Sequence, residues 1–320
     1  MRVLVTGGAG FIGANACRTL AAHPDIERVV ALDDLSTGYA DNLAGVPAEL
    51  VKGSILDRPL LTELVSTVDA VVHLAARPSV PRSLADPVAS HEVNATGTLH
   101  VLEACRRTGT YLVGASSSSV YGSVPDLPKH EDLPTRPMSP YAASKLATEG
   151  YLLAYRSAFG VPTLALRFFN VYGPHQSVGH AYAAVIPAFV DAALRGEPLR
   201  VFGDGRQSRD FTFVGTVAQV LAEAVTRRVV ADTPVNLAFG NRVSLLTLID
   251  KLGPLVETPV TVEHLPVRAG DVRESQADHT RLSTLFPQIR PLPLAEGLAR
   301  TVAWYRARVQ AGADQRHAAG

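Results

Sequence analysis

The chain reads as an α/β protein built on a doubly wound parallel sheet. Short β-branched runs alternate with longer amphipathic segments along the first half. Ala70-Val71-Val72-His73-Leu74 is apolar on both faces but for one histidine, which suits a strand covered on both faces. A glycine-rich turn, Gly7 to Gly13, separates the first run from the first amphipathic segment, as a strand-to-helix junction would.

Taken in order, strands are expected over residues 2–5, 29–32, 49–52, 70–74, 111–115 and 162–167. Helices fall between or after them at 12–22, 59–66, 87–107 and 140–159, three of these opening on a proline suited to a first helical turn. Past Arg167 the rhythm changes. Residues 169–175 are loop-like, and helices near 183–194, 215–228, 245–252 and 295–308 are interrupted by short strands near 199–202 and 235–238. This predicts a main sheet domain over 1–168, to which later segments contribute, a smaller lobe over 169–310, and a flexible tail at 311–320.

Composition bounds the function. With 320 residues and 47% apolar, the chain can bury a large core. Thirty basic and thirty acidic residues give no net field to draw nucleic acid or an anionic membrane. The two cysteines, Cys17 and Cys105, fall on expected helices and read as buried thiols, with no disulfide or zinc spacing. The ten histidines form no metal-binding motif, and no metal is expected. No leader or spanning segment is legible, so a cytoplasmic protein is expected.

The turn Gly8-Ala9-Gly10-Phe11-Ile12-Gly13, extended by Gly7, fits a dinucleotide fingerprint in the context that motif requires. Glycines let a pyrophosphate approach the backbone, and the helix N-terminus offers it unpaired N–H groups. Asp33 ends the second strand twenty residues after Gly13, where a carboxylate holds the adenosine ribose. Asp34 follows at once and no arginine does, so a 2′-phosphate would be repelled. NAD is therefore expected rather than NADP.

Tyr141 and Lys145, four residues apart on one helix, share a face. A phenol ordinarily ionises near 10, and acting as a base at neutrality requires a shift of about three units, about 4 kcal/mol. A neighbouring ammonium and a positive nicotinamide ring favour the phenolate. The serine row Ser116 to Ser119 ends the fifth expected strand and offers a hydroxyl relay. Glycine turn, serine row and Tyr-x-x-x-Lys, in that order, point to nicotinamide redox chemistry with tyrosine as acid/base.

These residues resemble the extended short-chain dehydrogenases/reductases of the nucleotide-sugar epimerase/dehydratase group, and most of all their UDP-glucose/UDP-N-acetylglucosamine 4-epimerase branch. The likeness runs from residue 1 to about 308 and includes His73-Leu74-Ala75-Ala76, Asn94-Ala95-Thr96-Gly97-Thr98, Ser139 to Lys145, Arg167 to Pro174 and Phe202 to Phe211. It implies a Rossmann-type sheet with a nucleotide-sugar-binding C-terminal lobe, and a homodimer whose helices 87–107 and 140–159 pair across a two-fold axis. It implies that Ser117, Tyr141 and Lys145 are catalytic. For the cofactor it implies Gly7, Gly10, Phe11, Ile12, Gly13, Asp33, Asp34, Ser36, Thr37, Gly38, Ser54, Ile55, Leu74, Ala75, Ala76, Asn94, Ser116, Phe168 and Val171, besides Tyr141 and Lys145. For a UDP-sugar it implies Ser79, Ser117, Ser118, Tyr141, Asn170, Ala184, Val185, Val201, Phe202, Gly203, Arg209, Arg268, Asp271 and Ser275.

The expected reaction is inversion at C4 of a UDP-hexose through a 4-keto sugar. Related 4,6-dehydratases carry Asp and Glu where this chain has Ser118 and Ser119, which disfavours elimination. Serine at 275 leaves room for an N-acetyl group, and 181–187 resembles N-acetylhexosamine-handling members. Two departures stand out: Ser54 occupies a position where the family commonly has an aspartate against adenine, and His175 one where an arginine is common. The rival readings are a UDP-glucuronate 4-epimerase, another nucleotide-sugar dehydratase or reductase, and a non-catalytic NAD-binding regulator.

Overall fold

The computed structural model describes residues 1–178, 184–267 and 273–318, with side chains described to residue 310. Its centre is a seven-stranded parallel sheet. The strands are β1 (Arg2–Thr6), β2 (Arg28–Asp33), β3 (Ala48–Lys52), β4 (Ala70–His73), β5 (Tyr111–Ser117) and β6 (Thr163–Phe168), with β11 (Val235–Leu237) arriving from the second half of the chain. Their order, β11-β6-β5-β4-β1-β2-β3, reverses direction of travel between β1 and β4. A crevice opens there at the carboxyl ends of the strands, where ligands bind in such sheets.

Alternate residues of β1 divide between two cores. Val3 and Val5 face one with α1 (Phe11–Ala21), whose Cys17 and Leu20 it includes, and α8 (Val214–Thr226). Leu4 faces the other, with α2 (Arg58–Ser66), α5 (Gly97–Thr108) and α6 (Pro140–Phe159). Burial on both faces explains why these runs are continuously apolar. Two short helices, α3 (Val80–Ala85) and α4 (Pro87–His91), precede α5.

A third core lies in the C-terminal lobe. It joins α7 (Val185–Arg195), α9 (Leu245–Leu252) and α11 (Leu294–Ala318) to β8 (Leu199–Phe202) and the pair β7 (Asn170–Tyr172) and β10 (Phe211–Phe213). Two further pairings complete it: β9 (Ser208–Arg209) runs antiparallel to β12 (Val243–Ser244), and β13 (Val262–Leu265) parallel to β8. The helix α10 (Thr280–Leu285) returns to the main sheet, sending Leu282 into the first core.

Several expectations are corrected. Residues 170–172 form a strand rather than loop, paired through Phe211↔Asn170 and Phe213↔Tyr172; three residues are too few to show an alternation. The single helix expected at 87–107 is α4, a π-helical turn at Glu92–Thr96 and then α5. The last helix extends beyond 308, to Ala318.

Candidate active site

Each ligand-facing loop begins with a local sequence decision. Gly7 has φ +70, and a Cβ there would lie 2.8 Å from the Ala75 nitrogen. A Cβ on Gly13 would lie 2.0 Å from the Gly7 carbonyl oxygen. Only glycine at both allows the first turn to fold this tightly under β4. The helix α1, which starts at this turn, has no side-chain cap at Gly10 and no acid in its first turn, so its N–H groups and positive end face the crevice.

A cavity of about 830 Å³ occupies that crevice. Of the residues expected at the cofactor, Gly7, Gly10, Phe11, Ile12, Gly13, Asp33, Asp34, Ser36, Thr37, Ser54, Ile55, Leu74, Ala75, Ala76, Ser116, Tyr141, Lys145, Phe168 and Val171 line it. Two do not. Gly38 packs on Asp33, where a Cβ would meet both carboxylate oxygens at 2.9 Å. Asn94 is buried and turned away, accepting from the Arg77 backbone nitrogen at 2.7 Å and donating to Ser144 Oγ at 2.9 Å. Arg77, Pro78, Arg82 and Gln176 also line the cavity and were not among the expected site residues; Arg77, Pro78 and Gln176 lie on loops and Arg82 on α3.

Asp33 is no solvated turn carboxylate. It is 7% exposed, and it accepts from the Ala9 backbone nitrogen at 2.9 Å and the Leu35 nitrogen at 2.8 Å. Burial raises it above the ordinary carboxylate range against those bonds. Asp34 is engaged with the Ser36 nitrogen and hydroxyl, at 2.9 and 2.6 Å.

On the catalytic side, Ser139 caps α6 by accepting from the Ala142 nitrogen at 3.1 Å, and Pro140 opens the first turn. That start fixes the phase that turns Tyr141 and Lys145 toward the end of β5. The Tyr141 and Ser117 side chains line the first cavity together, and Ser117 acts to lower the phenol's pKa. Ser119 Oγ donates to Ser117 Oγ at 2.9 Å, extending the row by one member. Lys145 Nζ donates to the Ala115 carbonyl at 2.9 Å, and burial lowers its pKa to about 8. Burial pushes the Tyr141 phenol upward, opposed by Ser117.

A second cavity, about 780 Å³, adjoins the first, Val171 lining both. Asn170, Ala184, Val185, Phe202 and Arg209 line it as expected for a substrate site, together with Gln207, Phe211 and Leu265. Ser79, Ser118, Val201, Gly203 and Ser275 line neither cavity. Val201 is a clear correction: it is fully buried in the lobe's core, because β8 alternates and only Arg200 and Phe202 turn outward. Ser79, at φ +98, caps α3. Arg268 and Asp271 lie outside the described residues, as do 181–183 of the stretch compared with N-acetylhexosamine enzymes. His175 does not face the second cavity. Its ring lies between Asn42 Oδ1, at 3.1 Å, and Arg18 Nη1, at 3.3 Å.

His73, expected to be structural, is buried between Thr6 Oγ1 at 2.8 Å and Thr98 Oγ1 at 2.9 Å. Among the described residues no group of three or more His, Cys, Asp or Glu side chains could hold a metal ion, and no helix is long and apolar enough to cross a membrane.

The model of the NAD dependent epimerase/dehydratase family matches residues 3–238. The chain belongs to that family. Over 97% of its length it is 39% identical to a UDP-glucose 4-epimerase from Mycolicibacterium smegmatis, all of which is covered. A dTDP-glucose 4,6-dehydratase from Mycobacterium tuberculosis is 33% identical, with 96% of this chain and 93% of that protein aligned. Among solved structures, a UDP-N-acetylglucosamine 4-epimerase from Methanobrevibacter ruminantium superposes with a TM-score of 0.90 at 34% identity, covering 96% of this chain and 98% of that one. A Thermus thermophilus UDP-glucose 4-epimerase in complex with NAD superposes with a TM-score of 0.85 at 35% identity, covering 96% and 99%. This is an NAD-dependent enzyme with a Rossmann-type sheet. The glycine cradle, the uncapped α1 N-terminus and the buried Asp33 fit the dinucleotide.

Proposed function

We propose that the protein inverts C4 of a UDP-hexose, interconverting UDP-glucose and UDP-galactose and also their N-acetylated counterparts. The observation that carries this reading is that Ser117, Tyr141 and Lys145 line the first cavity together, beside a turn, Ser118–Tyr121, that bears no acid. Elimination of a C6 hydroxyl calls for a proton donor on that turn, and Ser118 and Ser119 do not supply one at neutral pH. That favours epimerisation over the dehydratase chemistry of the Mycobacterium tuberculosis relative.

Gly7, Gly10, Gly13 and Asp33 would hold NAD, and Lys145 would orient its nicotinamide ribose. Bound NAD supplies the hydride acceptor and donor at C4. Tyr141, as phenolate, takes the O4 proton while Ser117 relays between phenol and sugar oxygen. The site holds the 4-keto sugar while it turns about its diphosphate link. Tyr141 then returns the proton as the opposite face is reduced. Arg209, with its planar fork, and Asn170 face the second cavity, where the uridine diphosphate would lie. Arg268 and Asp271 are assigned the same role by resemblance, and Ser275 the tolerance of the 2-substituent.

The homodimer belongs to the same reading. Leu84, Val88, Tyr151 and Phe159 are exposed on α3, α4 and α6, the region assigned to the subunit interface.

The test is a substrate panel of UDP-galactose, UDP-N-acetylglucosamine and UDP-glucuronate with added NAD, with product stereochemistry read by NMR. The first two should be inverted at C4, and Tyr141→Phe should lower turnover by about 10²–10⁴-fold. Turnover of UDP-glucuronate alone would replace this reading with the uronate one.

A further inference from the structure

Two buried charges take no part in the chemistry above. Glu149 is 3% exposed and Arg167 is 2% exposed. They form a two-pronged pair, with Arg167 Nε donating to Glu149 Oε2 at 2.8 Å and Nη2 to Oε1 at 2.6 Å. The same carboxylate accepts from Ser116 Oγ at 2.8 Å. The guanidinium lies over the Tyr121 ring, 4.6 Å from its centroid, and Nη1 reaches the Glu131 carbonyl at 3.4 Å. Tyr121 OH in turn donates to Asn236 Oδ1 at 2.7 Å.

Stability is a poor reason for such a pair, because desolvating two charges offsets much of their attraction. Its location suggests another. Tyr141, Lys145 and Glu149 repeat every four residues and form one stripe of α6. Ser116 immediately precedes Ser117, and across the sheet it is the register partner of Arg167. The carboxylate thus grips the last turn of β5 from the catalytic helix, while Arg167 holds it from β6. Lys145 adds a parallel tie, to Ala115 of the same strand.

We propose that the Glu149–Arg167 pair is a positioning device that fixes the strand end bearing Ser117 against the helix bearing Tyr141, and so sets where the two side chains stand relative to one another in the first cavity. The proposal rests on the reading of Tyr141 as the acid/base. It differs from a purely structural role in what it affects: the pair acts on turnover through Ser117 and Tyr141, without touching either cavity's ligand.

Two variants test it in the NAD-loaded enzyme with UDP-galactose. Ser116→Ala removes the strand tie and leaves the ion pair intact; Ser116 also lines the first cavity, so NAD affinity is measured beside kcat and should stay within about threefold. Glu149→Met with Arg167→Met removes the pair without stranding a buried charge. Both should keep KM within about threefold while kcat falls about 10–100-fold, the scale of an ångström of misplacement. The acid limb of the kcat–pH profile should also move, since the phenol's partner has shifted. Wild-type kcat and pH profile in Ser116→Ala overturn the proposal, whether or not the double variant folds. So does a loss of kcat matched by a loss of folded protein. Tyr141→Phe runs alongside: if it retains turnover, the acid/base reading fails and the positioning proposal with it; if it loses turnover while Ser116→Ala does not, the positioning proposal alone fails.

Discussion

Lys145 bears the clearest electrostatic cost in the site. Its ammonium is 5% exposed, with one carbonyl partner and a pKa lowered by burial to about 8. In the unfolded chain the same group titrates near 10.4. Below pH 8 both states are charged, and folding pays the whole penalty, on the order of 3 kcal/mol. Between pH 8 and 10.4 the unfolded state binds the additional proton, so this group's contribution to stability rises with pH. Lys145→Met should therefore stabilise the cofactor-free protein by about 1–3 kcal/mol at pH 7, while suppressing turnover. The advantage should shrink as pH approaches 10. Urea unfolding of both proteins at pH 7 and 9.5 checks the sign; a variant less stable than wild type at pH 7 would show that the Ala115 bond outweighs desolvation.

At the scale of elements, the turn at Glu92–Thr96 has the most specific consequence. A π-helical turn inserts one extra residue per bond and rotates the rest of the helix beyond it. It puts Asn94 against the Arg77 backbone, where it accepts from the nitrogen at 2.7 Å and donates to the carbonyl at 3.3 Å, and against Ser144 on α6. Asn94 thus staples the loop after β4, which lines the first cavity, to the catalytic helix. Asn94→Ala should cost about 1–3 kcal/mol in urea unfolding and speed NAD release, measured by fluorescence on dilution. Unchanged NAD retention would confine Asn94 to a packing role. The sequence could not show this turn, because a hydrophobic pattern cannot mark a single i→i+5 step. The elements that were legible have strong local causes: Ser139-Pro140 opens α6 at the expected residue, and β1 and β4 are continuously apolar because both faces are covered. Val201 was misplaced for the converse reason. A resemblance names positions, whereas strand phase decides which side chain of β8 turns outward. Arg77 and Arg82 were not singled out as site residues, since their place in the cavity comes from the path of the loop after β4 and of the short helix α3 that follows it.

For the molecule as a whole, α6 has two faces with different duties. Tyr141, Lys145 and Glu149 face the sheet, whereas Tyr151 is 38% exposed and Phe159 56% exposed. The adjoining helices expose Leu84 and Val88, each at 65%. Apolar side chains gathered on neighbouring helices mark a surface that gains from being covered. In the proposed homodimer a second copy covers it, and a stable interface would need about 800 Å² from each partner. Such cover would also stiffen α6 from behind, holding its catalytic stripe against β5. Val88→Asp with Tyr151→Arg places charge on both contributing segments, and sedimentation at micromolar concentration should then show a single-chain species where the wild type is paired. Turnover should fall with dimerisation and recover at high protein concentration. A wild type that sediments as one chain and is fully active would exclude the dimer, and leave the inner ties, at Ala115, Ser116 and Asn94, to restrain where α6 presents its tyrosine.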